Sequence, residues 1–109
     1  MKRVTRSIIP LVVVLVGVLL GVSNAVALDG AALYQSKTCF ACHGMDAKSP
    51  IMPNYPKLAG QNAAYSFQQM QDIKSGARAN GLSAAMQAVM QMVSEEEMKA
   101  ISIWLESLE

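Results

Sequence analysis

The stretch Cys39-Phe40-Ala41-Cys42-His43 constrains this chain more than any other part of its sequence. It has the spacing C-x-x-C-H, in which two thiols three positions apart lie on the same side of a helical turn. Each thiol can therefore form a thioether with one vinyl group of the same porphyrin, and the histidine that follows can bind the iron. The motif predicts covalent attachment of one haem through Cys39 and Cys42, with His43 as an iron ligand.

Three other uses of paired cysteines compete with this interpretation. A thioredoxin-type redox site needs a βαβ pattern, and no strand-like run flanks these cysteines. A closed structural zinc site needs about four Cys or His ligands, whereas the whole chain has 2 cysteines and 1 histidine. A plain disulfide remains open in an oxidising compartment, but it would leave the adjacent histidine unexplained.

The first 27 residues have the three parts of a secretory signal peptide. Three basic residues lie within the first six positions, residues 8–22 are almost wholly apolar, and Ala25-Val26-Ala27 has the small residues of a cleavage site. The apolar run includes Pro10 and is shorter than the roughly 20 residues that a spanning helix needs, which disfavours an uncleaved anchor. We expect cleavage after Ala27, which leaves an exported domain of residues 28–109.

Removal of the signal peptide changes the charge balance and the size. The sequence has 9 basic and 8 acidic residues; without Lys2, Arg3 and Arg6 the mature chain has 6 basic residues and a net charge near −2. No stripe of basic residues remains, so nucleic acid is not an expected partner. So short a domain has a marginal core, which a covalently bound haem would fill and cross-link.

All regular elements predicted in the mature chain are helices. The first runs from Asp29 to Thr38, and Gly30 within it would let another helix approach closely. The second covers residues 62–75, with an apolar stripe predicted to face the core. The last covers residues 94–108 and opens with a capping box. The stripes consist of Ala63, Phe67, Met70 and Ile73 in the second helix and Met98, Ile101, Leu105 and Leu108 in the last.

Two segments between these helices have a different character. Residues 44–61 contain all three prolines of the mature chain and several turn formers, so we expect an extended loop there. Directly after the haem motif, the simplest surface for this loop to cover is one face of the porphyrin. Residues 76–93 are rich in alanine, methionine and glutamine, and they predict local helix without clear boundaries.

An iron bound by His43 has a second axial position to fill. The chain has no other histidine, and a methionine thioether is the natural soft donor. Four methionines are disfavoured because they lie next to His43, in the loop on the histidine side, or on helix stripes: Met45, Met52, Met70 and Met98. The remaining candidates, which precede the last helix, are Met86, Met90 and Met92. Spacing alone does not separate Met86 from Met90.

In these residues the chain resembles the class I c-type cytochromes, over essentially the whole mature region. Part of it is similar to one branch in particular, the small periplasmic cytochromes that are single-haem relatives of one half of the dihaem electron carriers. The resemblance implies an all-α cytochrome c fold of three to five helices and a proline-rich loop around one haem c. It rests on Gly30-x-x-x-Tyr34, Cys39-x-x-Cys42-His43-Gly44, the segment 53–61, Tyr65, Gln69 and Gly76-Ala77-Arg78.

The resemblance also implies roles for individual residues. In this branch the ligand methionine stands seven residues before the apolar residue that precedes the serine of the last helix, which selects Met86. The proline whose carbonyl accepts the Nδ1–H of the histidine ligand corresponds to Pro56. Arg78 corresponds to a contact with a haem propionate, with an exposed surface arginine as the alternative. Trp104 fills the aromatic position that packs on the first helix.

Two departures from the pattern of that class concern the framework around the haem. Tyr34 and Cys39 are five positions apart rather than the four that are common in the class. No proline stands beside Met86. We therefore expect the segment that carries the methionine to be held in another way.

These features predict a periplasmic electron carrier that is not an enzyme. Its expected partners are redox proteins, which would meet an exposed haem edge through a small, transient interface. We expect a monomer or weak dimer without membrane contact after signal cleavage. Two alternatives remain open: a gas-binding or peroxidatic haem protein with an open sixth site, and a haem subunit of a larger periplasmic oxidoreductase complex.

Overall fold

The computed structural model describes Lys2 and residues 27–109, so nearly all of the predicted signal peptide lies outside the described residues. This part of the chain folds into helices and contains no strand, which confirms the all-α prediction. Among these residues no helix is long and apolar enough to cross a membrane. The helices are α1 (Gly30–Ser36), α2 (Phe40–His43), α3 (Ala63–Ser75), α4 (Ser83–Met90) and α5 (Glu95–Glu106).

Helix α1 packs closely against α5 at Gly30. A Cβ at this position would lie 2.7 Å from Trp104 Cβ and closer still to the Ala100 carbonyl oxygen, so only glycine permits this approach. Beside it the fully buried Tyr34 ring packs on Trp104, with 4.9 Å between ring centroids. The predicted close approach of two helices at Gly30, and the packing of Trp104 there, are confirmed.

The ends of α1 are fixed by local chemistry. Asp29 is the N-cap, as predicted, and its carboxylate accepts a hydrogen bond from the Ala32 backbone N–H at 3.1 Å. The helix ends at Ser36, two residues before the predicted end. Thr38 has a φ of 65°, in the left-handed region, and a right-handed helix cannot continue through that conformation.

Helix α3 packs on both α4 and α5, but its buried face differs in part from the predicted stripe. Met70 and Ile73 are buried as predicted, and Ser66 is buried between the turns. Phe67 is only partly buried: it packs against the edge of the core cluster, and Lys99 Nζ of α5 lies 5.4 Å from its ring centroid. The core side of α3 is therefore rotated towards Ser66, and Phe67 lies at its edge.

The last two helices form where they were predicted, but α5 ends at Glu106, two residues before the predicted end, and Leu108 is only partly buried. Helix α4 is the local helix expected within residues 76–93. Helix α5 opens with the predicted capping box, in which the Ser94 hydroxyl accepts from Glu97 N at 3.2 Å and the Glu97 carboxylate accepts from Ser94 N at 3.0 Å. Its stripe forms the centre of the core, with Met98, Ile101 and Leu105 at 1–2% exposure.

Candidate functional site

The main cavity of the described chain lies between the predicted haem motif, α3 and α4, and has a volume of about 440 Å³. Its walls are largely apolar and include core residues of α3, α4 and α5. All six residues predicted to hold the cofactor line it: Cys39, Cys42, His43, Pro56, Arg78 and Met86. The structure thus brings together side chains that are separated by up to 47 positions in the sequence.

Cys39 is the N-cap of the short helix α2, and Cys42 lies within it. The backbone N–H groups of both Cys42 and His43 donate to the Cys39 carbonyl oxygen, at 3.3 and 3.0 Å, and this turn places the three side chains at one wall. Both thiols are free; Cys39 is half-buried and Cys42 is exposed. Burial raises the pKa of the Cys39 thiol, whereas a reactive redox C-x-x-C pair requires a lowered one.

The His43 imidazole is buried and oriented by a backbone carbonyl. Its Nδ1 lies 2.9 Å from the Pro56 carbonyl oxygen. Because a carbonyl oxygen can only accept, Nδ1 carries the proton, and Nε2 is left with its lone pair. This is the arrangement in which metal-binding histidines are usually found, with the second ring nitrogen donating to a carbonyl or carboxylate.

The loop after α2, residues 44–62, is folded back on the motif by backbone hydrogen bonds. Ile51 N donates to the Cys42 carbonyl oxygen at 3.1 Å, and Leu58 N and Ala59 N both donate to the Ala47 carbonyl oxygen, at 2.9 and 3.1 Å. Ala47 is fully buried and has a φ of 57°, which makes the sharp turn possible. These bonds place the Pro56 carbonyl next to the His43 ring.

Two polar side chains tighten this loop. The Tyr34 hydroxyl donates to the buried Gly44 carbonyl oxygen at 2.6 Å, and burial raises the pKa of Tyr34 to about 12. Asp46 accepts from the backbone N–H groups of Lys48 and Ser49, each at 2.9 Å, which lowers the pKa of its carboxyl. Neither contact was predicted, although an aspartate three residues ahead of Ser49-Pro50 is a recognisable turn signal.

The methionines differ in burial and in whether they line the cavity. Met45, Met52 and Met92 have exposed fractions of 65%, 42% and 62%, and none of them lines the cavity. Met86 and Met90 both line it, one helical turn apart on α4. Met98 is core, as predicted. Met70, which was also predicted to be core, is buried but forms part of the cavity wall as well.

The charged groups at the cavity have one sign. Its lining includes Lys57 and Arg78, and the described residues contribute no carboxylate to it. Arg78 Nη1 donates to Gln69 Oε1 at 3.0 Å, which positions the guanidinium at the rim of the cavity. Since a guanidinium has five N–H donors, this one bond leaves capacity for an anion.

These residues fit a covalently attached haem. Two free thiols and an oriented imidazole lie at one wall of the cavity, and two thioethers of α4 lie at another. The rest of the lining is largely apolar, and its two cations could bind the carboxylates of the porphyrin. The lining also includes Tyr55, whose ring centroid lies 6.5 Å from that of His43, and Ser66. Sequence reasoning assigned no role to either residue, although Tyr55 lies in the segment 53–61 on which the resemblance rests.

Comparisons with known proteins point the same way. The sequence model of the cytochrome c family matches residues 27–109. The chain is 36% identical over 88 residues to cytochrome c-553 of Nitratidesulfovibrio vulgaris (strain DSM 19637 / Miyazaki F), an alignment that covers 81% of this chain and 84% of that protein.

Two longer proteins are also similar. The thiosulfate dehydrogenase electron acceptor of Stutzerimonas stutzeri (strain A1501) is 37% identical over 92 residues, 78% of this chain and 41% of that protein. Cytochrome c4 of Pseudomonas aeruginosa is 47% identical over 60 residues, 55% of this chain and 29% of that protein. The chain therefore aligns with less than half of the length of each of these two relatives.

Proposed function

Because this chain belongs to the cytochrome c family and binds haem c covalently through Cys39 and Cys42, we propose that it is an electron carrier whose iron is bound by His43 and Met86. One observation carries the proposal. A single cavity is lined by both thiols, by a histidine whose Nδ1 is already bonded to Pro56, and by thioethers of α4. The haem would supply a one-electron Fe(III)/Fe(II) couple with a relatively high potential if the ligands are His and Met.

Met86 is the better candidate among the three methionines at the cavity. Met70 and Met90 belong to the buried core, with 8% and 3% exposure, so their thioethers already pack against core neighbours. Met86 is only partly buried and packs against the outside of that cluster. A side chain that lines the cavity without filling the core can bind iron without leaving a void behind.

The chain's own residues account for the other requirements of a carrier. The Pro56 carbonyl orients the His43 ring, and the apolar lining excludes water around it. Arg78, held by Gln69, is proposed to contact a propionate. With both axial positions filled, the protein needs no substrate pocket, and we propose that it transfers electrons between other redox proteins and is not itself an enzyme.

We further propose that the protein works in the periplasm after cleavage behind Ala27. The basic, apolar and small-residue segments of residues 1–27 support this location. The partners that give and take the electron would be other redox proteins.

A second candidate function has one specific observation in its favour. One relative is named as the electron acceptor of thiosulfate dehydrogenase, which suggests a cytochrome that serves one particular oxidoreductase. If this chain has such a role, it should co-purify with a larger chain or accept electrons from one oxidoreductase much faster than from others.

A redox titration combined with carbon monoxide binding tests the proposal. The carrier should titrate reversibly as a single one-electron couple, and the reduced protein should not bind carbon monoxide at neutral pH, because Met86 occupies the sixth position. Rapid carbon monoxide binding by the wild-type protein would instead support the gas-binding alternative. Gel filtration of the periplasmic extract before purification separates a free carrier from a subunit of a complex.

A further inference from the structure

The segment that joins α4 to α5, residues 91–94, is attached to the rest of the fold by two lysines. Lys37 Nζ, from the end of α1, donates to the Met92 carbonyl oxygen at 2.9 Å. Lys74 Nζ, from the last turn of α3, donates to the Val93 carbonyl oxygen at 2.6 Å. Two ammonium groups from two different helices thus bind consecutive carbonyls directly after the helix that carries Met86.

Each lysine is itself held in place. Lys37 Nζ also lies 3.3 Å from a carboxylate oxygen of Glu97, the residue that closes the capping box of α5. The Lys74 backbone carbonyl accepts a hydrogen bond from the side-chain amide of Gln91 at 3.0 Å, so α3 and the segment are bonded in both directions. Hydrogen bonds from an ammonium group are stronger than those between neutral groups.

The segment that the lysines hold also forms part of the cavity wall. Val93 is 1% exposed and lines the cavity, and Met90 at the end of α4 is 3% exposed. Val93 N donates to the Met90 carbonyl oxygen at 3.1 Å, so a displacement of the segment would be transmitted directly to the end of α4. No proline stiffens the chain beside Met86, and the lysines supply a restraint from outside the helix.

We propose that Lys37 and Lys74 are positioning residues that hold α4 against the cavity and so keep the Met86 thioether on the iron. This inference rests on the proposed ligation by Met86. Neither lysine lines the cavity, and Lys74 contacts a lining residue, Val93, at its backbone carbonyl. Their effect is on the equilibrium between a closed α4 and a locally opened one, in which the sixth position is accessible.

Imidazole binding to the oxidised protein measures that equilibrium. Imidazole reaches the iron only when the thioether leaves, so its apparent affinity increases with the population of the opened state. Removing one charge-assisted bond in Lys74→Leu should increase the apparent affinity about tenfold, and Lys37→Leu by a smaller factor because its side chain is more exposed. Lys74→Arg retains a cationic donor and should restore affinity to near the wild-type value.

Lys99→Leu is the matched control. It removes the same charge from α5, where the ammonium lies over Phe67 and reaches no carbonyl of the segment. Its imidazole affinity should equal that of the wild type. Leucine is used rather than methionine so that no new thioether is introduced near the iron.

The outcomes separate this inference from the ligand assignment. Unchanged imidazole affinity in Lys74→Leu, with or without a lower melting temperature, would overturn the positioning role. Equal increases in Lys74→Leu and Lys99→Leu would also overturn it, since they would indicate a general charge effect. The weak far-red band of methionine–Fe(III) ligation, recorded in Met86→Ala, tests the ligand independently: its persistence there would contradict the proposed function, whatever the lysines do.

Discussion

The two walls of the cavity that carry the proposed iron ligands are held by different kinds of bond. On the His43 side, which consists of α2 and the loop 44–62, the chain is folded back on itself by backbone hydrogen bonds and by the carbonyl of Pro56. On the Met86 side, which consists of α4 and the segment 91–94, lysine side chains of α3 and of the end of α1 reach backbone carbonyls, and the Gln91 side chain of the segment reaches a carbonyl of α3.

This difference predicts which side of the cavity is the more rigid and which opens more easily. The bonds named above for the His43 side join residues 9 to 13 positions apart and form as soon as the loop takes its shape. One further bond, from Gly60 N to the Leu105 carbonyl oxygen at 2.8 Å, attaches the end of this loop to α5. The bonds from Lys37 and Lys74 to the Met86 side span 55 and 19 positions and need the helices to be packed first. We therefore expect the His43 side to be the more rigid and the Met86 side to open first.

The largest loss of stability is expected at Gly30, because both sides depend on the crossing of α1 and α5. In Gly30→Ala the new methyl group would meet Ala100 and Trp104, and α1 carries both Tyr34 and the connection to Lys37. We expect a loss of about 3 kcal/mol or more in the free energy of unfolding, measured by denaturant titration. The control Gly81→Ala has no atom within 4 Å and should cost only about 1 kcal/mol, for its positive φ. Equal losses in the two variants would mean that the α1–α5 crossing is not as tight as described.

The next effect should be confined to the His43 side. Tyr34→Phe removes the hydroxyl donor of the buried Gly44 carbonyl oxygen, which still accepts from Ala47 N at 3.2 Å, and should cost about 1.5 kcal/mol of unfolding free energy. The far-red methionine band should remain unchanged, because the Met86 side does not depend on this bond. A loss of that band in Tyr34→Phe would contradict the separation of the two sides.

The same tyrosine predicts a dependence of stability on alkaline pH. Burial raises the pKa of Tyr34 from 10.0 in an unfolded chain to about 12, so the folded state favours the neutral hydroxyl. Its stabilising contribution is complete below about pH 10 and declines as the pH rises towards 12. Thermal unfolding from pH 8 to 11.5 should show this decline in the wild type and a smaller one in Tyr34→Phe; parallel curves would contradict the assignment.

A smaller effect is expected on the Met86 side. Ser94→Ala removes the N-cap of α5 next to the lysine-bound carbonyls and should cost about 1 kcal/mol. Hydrogen exchange should show faster exchange of the Met92 and Val93 amides and unchanged exchange of Ile51, on the His43 side. The control Ser36→Ala loses only a long, exposed bond of 3.4 Å and should change stability by less than about 0.5 kcal/mol. Faster exchange on both sides in Ser94→Ala would contradict the independent opening of the Met86 side.

The smallest effect is the acid dependence of the Met86 side. Hydrogen bonding to Ser94 N, together with Lys37, lowers the pKa of the Glu97 carboxyl from its usual 4.5. Its contribution is therefore present above about pH 4.5 and is lost as the pH falls through the lower folded-state pKa. Glu97→Gln should be less stable than the wild type by under about 1 kcal/mol at pH 7, and the difference should shrink as the pH falls below 4.5 and the carboxyl becomes protonated. A difference that does not shrink as the pH falls would assign it to packing instead.

The parts of the fold that short sequence patterns specify were predicted correctly. The C-x-x-C-H turn, the Asp29 cap and the Ser94–Glu97 capping box each depend on residues within a few positions. Such features need little knowledge of the rest of the chain, because local geometry decides them.

The parts that failed or were missed depend on distant neighbours. Phe67 was assigned to the core by helical period, but the rotation of α3 against α5 decides which side is buried. Met70 follows the same stripe, yet α3 also forms a cavity wall, which periodicity does not reveal. The bonds of Lys37 and Lys74 could not be predicted, since a lysine at a helix end is usually a solvated side chain.

The proton NMR spectrum of the reduced protein tests the central claim most directly. A methionine bound to haem iron has its methyl resonance shifted far upfield by the porphyrin ring current. We expect one such resonance in the wild type, in Met90→Leu and in Met70→Leu, and its complete loss in Met86→Ala. An upfield methionine methyl that survives in Met86→Ala and disappears in Met90→Leu would contradict the assignment of the ligand and of the face that α4 turns to the haem.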